Sequence, residues 1–205
     1  MFILSALILS ANTYPHFDKK DFLYIQKTNG KIAKNRALDY QEKIREFKKF
    51  PREAQLTKVN FYLNQLQPQY DDVIQGEEDY WATPKEFISC GYGDCEDYVI
   101  IKYFTLIKLG FDKKKLYLTT VYEKYTGSYH MVLSYFKTKK KAPLILDNLS
   151  FRILDLKTRK DLEAISFINE YGVYKLNNKD ELTKSKTTSL KFKNLLLKIE
   201  KEKEN

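Results

Sequence analysis

Cys90, Cys95, His16 and His130 are the only cysteines and histidines in this chain. A thiol enzyme built from this set has almost no choice of base. Cys95 follows a turn signal, Gly91-Tyr-Gly-Asp94, and stands in the first turn of a predicted helix. A helix start carries partial positive charge, which lowers a thiol pKa and favours the nucleophilic thiolate. The competing reading of Cys95 is a buried structural thiol, the usual fate of a lone cysteine. Cys90 has no such placement and reads as a structural or loop thiol.

His130 begins a strand in which His130, Val132, Ser134 and Phe136 share one face. Asp147 ends the next apolar strand. An aspartate at a strand end is commonly a turn residue. If the two strands pair as a hairpin, however, Asp147 lies opposite His130 or diagonal to it on the same face, within side-chain reach. The expected constellation is therefore Cys95 as nucleophile, His130 as base and Asp147 as orienter of the base.

The residues around Cys95 pose a problem for that chemistry. Asp94, Glu96 and Asp97 flank it, and carboxylates disfavour a neighbouring thiolate. Asp94 and Asp97 can be read as helix-capping residues. The alternative is a hard cation with oxygen ligands, such as Ca²⁺, that neutralises them. Two cysteines make neither a disulfide framework nor a zinc quartet.

The elements that must carry these residues are legible from patterning. Residues 36–50 read as a helix ending before Pro51, and residues 52–66 as an amphipathic helix closed by Pro68. Residues 69–80 are acidic and irregular. Thr83, Pro84 and Glu86 form a capping-box signature for a short helix. From Asp94 to Leu109 the chain reads as one helix closed by Gly110. Between Tyr98 and Leu109 its only charges are Lys102 and Lys108. A helix apolar nearly all round belongs in the centre of a core.

Strands are predicted at 115–122, 129–136 and 144–149, with weaker signals at 153–156 and 171–176. Helices first and strands afterwards predict an α+β fold with an antiparallel sheet. Residues 177–205 are polar and Lys-rich, with one amphipathic helix possible over 190–199.

Composition sets outer bounds. The chain is 43% hydrophobic with 16 Tyr and 13 Phe, enough for a real core in one domain. Its net charge of +9 favours anionic partners, but no nucleic-acid-binding motif accompanies it, so no nucleic-acid role is expected. Residues 1–11 are apolar and too few to span a bilayer. They fit the apolar region of an export signal ending at Ala11, although a basic region is missing; a buried N-terminal segment is the alternative. His16 lies beside that candidate cleavage point and is assigned no catalytic role. The domain is expected over 12–176.

Asp79-Tyr-Trp-Ala-Thr-Pro-Lys-Glu-Phe87, Gly93-Asp-Cys-Glu-Asp-Tyr98, His130 on a strand and Leu146-Asp-Asn148 together resemble the bacterial transglutaminase-like cysteine proteinases, the LapG-like family. Val59-Asn60, Asn64 and Ile168-Asn-Glu-Tyr-Gly172 also fit its pattern. The likeness covers roughly residues 40–175; the Lys-rich segment after 177 has no counterpart in it.

The resemblance implies a papain-like, transglutaminase-like fold with a Cys-His-Asp triad at Cys95, His130 and Asp147. It implies a calcium-dependent periplasmic protease, with Asp94, Glu96 and Asp97 matching the calcium-binding block. The implied substrate is a large cell-surface adhesin cut near its N-terminus, which would control biofilm attachment. The implied regulator is the periplasmic domain of an inner-membrane cyclic-di-GMP receptor. Two rivals stand beside the protease: an acyltransferase that cross-links proteins with the same triad, and an idle binding module that keeps the fold.

Overall fold

A computed structural model describes residues 14–68, 80–138, 141–177 and 181–204. The expected export signal at 1–11 and the acidic stretch over 69–79 lie outside the described residues.

Three helices open the chain: α1 (Lys19–Thr28), α2 (Gly30–Phe47) and α3 (Arg52–Leu63). Asp18 and Asp21 close a reciprocal capping box at the start of α1. Gly30, at φ +87°, lets the chain turn directly into α2. Ala33, Ala37, Tyr40, Ile44 and Phe47 of α2 recur at three- and four-residue steps and are buried. The sequence pattern began this helix at 36, because Lys31, Lys34 and Asn35 obscure its first turns.

Helix α4 (Pro84–Cys90) starts where its capping box requires. Thr83 N donates to Glu86 Oε2 at 2.7 Å, and Glu86 N donates to Thr83 Oγ1 at 3.2 Å. Such a cap contributes about 1 kcal/mol. Gly91 ends α4 in the left-handed region at φ +83°, where a side chain would run into the Arg36 guanidinium.

Helix α5 (Cys95–Lys108) is the centre of the molecule. Every residue from Glu96 to Ile107 is buried, as expected of a helix apolar on all sides. Helices α3 and α4 pack on it, and so does the sheet.

Two short strands, β1 (Gln67–Pro68) and β2 (Tyr92–Gly93), pair in parallel beside α5. The main sheet comprises β3 (Leu116–Glu123), β4 (Ser128–Tyr135), β5 (Leu144–Asp147), β6 (Ser150–Asp155), β7 (Leu162–Asn169), β8 (Gly172–Leu176) and β9 (Leu182–Lys186). Among the described residues its order is β6-β5-β4-β3-β7-β8-β9, with each neighbouring pair antiparallel. The α+β architecture with a buried central helix on an antiparallel sheet is thus the one observed. Leu116, Leu118, Leu133 and Leu146 join α5 in the main core. Val121, Val132, Ile145 and Leu162 form a separate apolar cluster.

Strand β7 was invisible in the sequence for a physical reason. The register of β7 on β3 shifts between Thr120 and Val121, skipping Ile165. An irregularity of this kind breaks the period-two pattern that reveals a strand.

The polar segment after residue 177 does not stand apart from the domain. Strand β9 extends the sheet, and α6 (Leu190–Glu204) buries Phe192, Leu195 and Ile199 in the main core. Glu202 accepts from Tyr14 Oη at 2.7 Å and from Thr83 Oγ1 at 2.5 Å. Lys198 Nζ donates to the Trp81 carbonyl at 2.7 Å. The boundary expected at 176 therefore divides no structural unit, and the amphipathic helix expected over 190–199 is α6, which runs on to Glu204.

Candidate active site

Asp94 has extended backbone, φ −96° and ψ −166°, and Cys95 is the first residue of α5. This placement leaves the Cys95 backbone N–H at a helix start, where early N–H groups lack intrahelical acceptors. Cys95 and His130 line one cleft of about 330 Å³, together with Trp81, Glu96, Ser189 and Lys191. Trp81 satisfies both readings a tryptophan invites: it is 7% exposed and belongs to the core, and it also lines the cleft. Cys90 and the exposed His16 are not among the residues of this cleft.

Strands β4 and β5 pair antiparallel with Leu133 opposite Leu146. Extending that register sets Asp147 across from Val132, diagonal to His130. The side chains meet: His130 Nε2 and Asp147 Oδ1 are 2.8 Å apart. Both are buried, with Asp147 0% exposed. A carboxylate only accepts, so Nε2 carries the proton and Nδ1 is left as the basic ring nitrogen. Burial by itself would raise the Asp147 pKa. The hydrogen bond and charge of His130, the Leu149 N–H and the Arg159 guanidinium outweigh it and take the group down to about 2.

Further groups hold Asp147, and sequence reasoning assigned a role to none of them. Asn64 Nδ2 donates to the Asp147 carbonyl at 2.7 Å, and Asn60 Nδ2 donates to the Ser150 carbonyl at 2.8 Å. These two α3 residues fix the β5–β6 turn from below, which gives a structural content to their place in the family pattern. Arg159 Nη2 donates to Asp147 Oδ2 at 2.9 Å. Nothing in the run Lys157-Thr-Arg-Lys160 marks one basic residue above its neighbours. Lys102 of α5 is 0% exposed, and its ammonium has no hydrogen-bond acceptor among the described residues. Burial pulls its pKa down to about 7, against the charge of Asp147.

The acidic block divides by role. Asp97 Oδ1 accepts from Ala82 N at 2.8 Å, tying the Trp81-Ala-Thr segment to α5. A Cβ at Gly93 would stand 2.5 Å from Asp97 Oδ2, so glycine there keeps room for this carboxylate. Glu96 turns to the nucleophile: the Cys95 thiol donates to Glu96 Oε2 at 3.1 Å. Burial holds the Glu96 carboxyl above its usual range, with Asp94 and the Cys95 thiol opposing it. Asp94, Glu96 and Asp97 crowd like charges around one helix start, which a cation relieves. Their hard oxygen donors suit Ca²⁺. Among the described residues no three His, Cys, Asp or Glu side chains are gathered tightly enough to hold a metal ion by themselves.

The electrostatics at Cys95 show the conflict that the neighbouring carboxylates posed in the sequence. Burial, then the charge and hydrogen bond of Glu96, push the thiol well above its ordinary value, and the Met131 backbone opposes them. The helix start favours the thiolate, but a carboxylate at hydrogen-bond distance outweighs its partial charge.

Comparison with known proteins agrees with this geometry. Calcium-bound LapG of Legionella pneumophila is 34% identical and superposes with a TM-score of 0.73 over 87% of this chain and 98% of its own. EGTA-treated LapG from the same organism gives 34% identity and a TM-score of 0.74, over 87% of this chain and 97% of its own. No curated protein sequence matches the chain. The family model for bacterial transglutaminase-like cysteine proteinases matches residues 27–161, the span that carries Cys95, His130 and Asp147. With its transglutaminase-like fold and this family match, the chain belongs to the bacterial transglutaminase-like cysteine proteinases.

Proposed function

We propose that this protein is a calcium-dependent periplasmic endopeptidase that cuts a large cell-surface adhesin near its N-terminus. The observation that carries the catalytic part is the His130–Asp147 pair at 2.8 Å, sharing one cleft with Cys95 at a helix start. His130 Nδ1 takes the Cys95 thiol proton. The sulfur attacks a peptide carbonyl, and the backbone N–H of Cys95 is placed to donate to the oxyanion. His130 returns the proton to the leaving amine. Water, deprotonated by His130, then releases the acyl group and restores the thiol. Asp147 holds the imidazole in the tautomer this sequence needs.

Asp94, Glu96 and Asp97 are the residues that would hold calcium, which supplies positive charge against them when bound. The family likeness motivates the adhesin substrate, the periplasmic location and regulation by an inner-membrane cyclic-di-GMP receptor. The formal charge of +9 supports an acidic substrate through long-range attraction that salt weakens. Among the described residues no helix is long and apolar enough to cross a membrane.

The test is incubation of the purified protein with extracytoplasmic adhesin fragments from the same organism, in calcium and in chelator. Cleavage is expected in calcium and not in chelator. Thermal melts should separate in the same two conditions, since a ligand bound to the native state at about 100 times its Kd stabilises by roughly 2.7 kcal/mol. Superimposed melts with equal cleavage rule out the calcium dependence. An intact adhesin in both arms rules out the substrate.

A further inference from the structure

The two oxygens of Asp147 have different tasks. Oδ1 accepts from His130 Nε2 at 2.8 Å and from Leu149 N at 3.0 Å. Oδ2 accepts from Arg159 Nη2 at 2.9 Å. The Arg159 side chain is only 12% exposed. It is gripped from its other side by Asp161, with Nε 3.0 and 2.9 Å from the two oxygens and Nη2 2.6 Å from Oδ2.

The backbone beneath is built for this aim. Asp155 accepts from Thr158 N at 3.0 Å and Thr158 Oγ1 at 2.7 Å through its carboxylate. Its carbonyl accepts from Arg159 N at 3.1 Å. The turn between β6 and β7 thus delivers one guanidinium, held along its Nε–Nη2 edge, to the back of Asp147.

We propose that Arg159 is a positioning residue for the hydrolysis: it fixes the plane of the Asp147 carboxylate so that Oδ1 stays on the His130 ring. The inference rests on the catalytic reading of Cys95, His130 and Asp147. A carboxylate held at only one oxygen can swing about its bond to Cβ, and His130 would swing with it. A guanidinium on the second oxygen removes that freedom, because its planar donors fix direction as well as charge.

The charged and polar groups facing Asp147 come from several elements. They are His130 from β4, the Leu149 N–H from the β5–β6 turn, Lys102 from α5 and Arg159 from the β6–β7 turn. Lys102 adds positive charge but makes no hydrogen bond to Asp147 or any other described residue, so it does not orient the carboxylate.

A purely structural tie between the turn and β5 would show the same contacts in a crystal, so the test needs other readouts. Arg159→Gln is expected to lower kcat by about 10- to 100-fold with little change in KM, the usual scale for a group that orients a reacting one. The acidic limb of kcat/KM should move to higher pH. Losing the guanidinium makes Asp147 easier to protonate, and a protonated Asp147 no longer holds the imidazole. Arg159→Lys should restore the limb through its charge while recovering only part of kcat, lacking the planar fork.

If Arg159→Gln does not fold, Asp161→Asn carries the test, because it loosens the guanidinium without removing it. A fall in kcat at constant KM is expected there too, of smaller size. Variants with lower melting temperature but unchanged kcat and unchanged acidic limb overturn the proposal and leave the triad standing. A wild type without cleavage activity removes the triad reading itself, and the role of Arg159 with it.

Discussion

Cys95→Ser is expected to lower kcat/KM by roughly 10⁴-fold or more, with its melting temperature close to that of the wild type. The serine hydroxyl is far less acidic than the thiol, so His130 cannot generate the nucleophile at a useful rate. Serine keeps the side chain small and able to donate, and Cys95 is half-buried and outside the apolar core. Cys90→Ser should keep near-full activity. Cys90 closes α4, outside the residues that line the cleft, and burial raises its pKa. Cleavage rates of the two variants beside their melts check the assignment. Loss of activity in Cys90→Ser with activity kept in Cys95→Ser would reverse it.

His130→Ala is expected to cost about 10²- to 10⁴-fold in rate, the range of a positioned general base. It should also destabilise the fold by ~1–3 kcal/mol. Asp147 is 0% exposed, and losing His130 leaves one of its buried oxygens short of a donor. His130→Gln separates the two effects. A glutamine amide can donate to Asp147 and recover part of the stability, but it has no basic nitrogen and recovers no rate. Kinetics and melts on the pair of variants check this. An alanine variant within tenfold of the wild type would show that another group takes the thiol proton.

The sequence carried different parts of this molecule with different clarity. Helix α5 was readable because twelve consecutive buried residues, Glu96 to Ile107, leave a nearly uninterrupted apolar run. The Thr83-Pro84-Glu86 cap was readable because its three residues act locally. The diagonal meeting of His130 and Asp147 followed from strand periodicity and a short connection, both features within twenty residues. Arg159 was not readable, because its partner lies across a turn and its neighbours are equally basic. Asp97 was grouped with Asp94 and Glu96 by adjacency, which did not show that one of its carboxylate oxygens accepts from Ala82 N. The α6 helix was legible as an amphipathic segment over 190–199, but its packing into the main core was not, because Lys191, Lys193 and Lys198 dominate its composition while Phe192, Leu195 and Ile199 do the packing. The thiol's conflict with its carboxylate neighbours was legible from adjacency, but not the rotamer that brings Glu96 to 3.1 Å from sulfur.

The most direct test of the central claim is the mass of the products. A long peptide from an extracytoplasmic adhesin, containing paired small residues, is incubated with the protein in calcium and a primary amine. An endopeptidase working through Cys95 gives two fragments whose masses sum to the substrate plus one water, and none in Cys95→Ser. A single heavier conjugate formed with loss of ammonia, without fragments, would contradict the account and make the protein a cross-linking acyltransferase on the same triad.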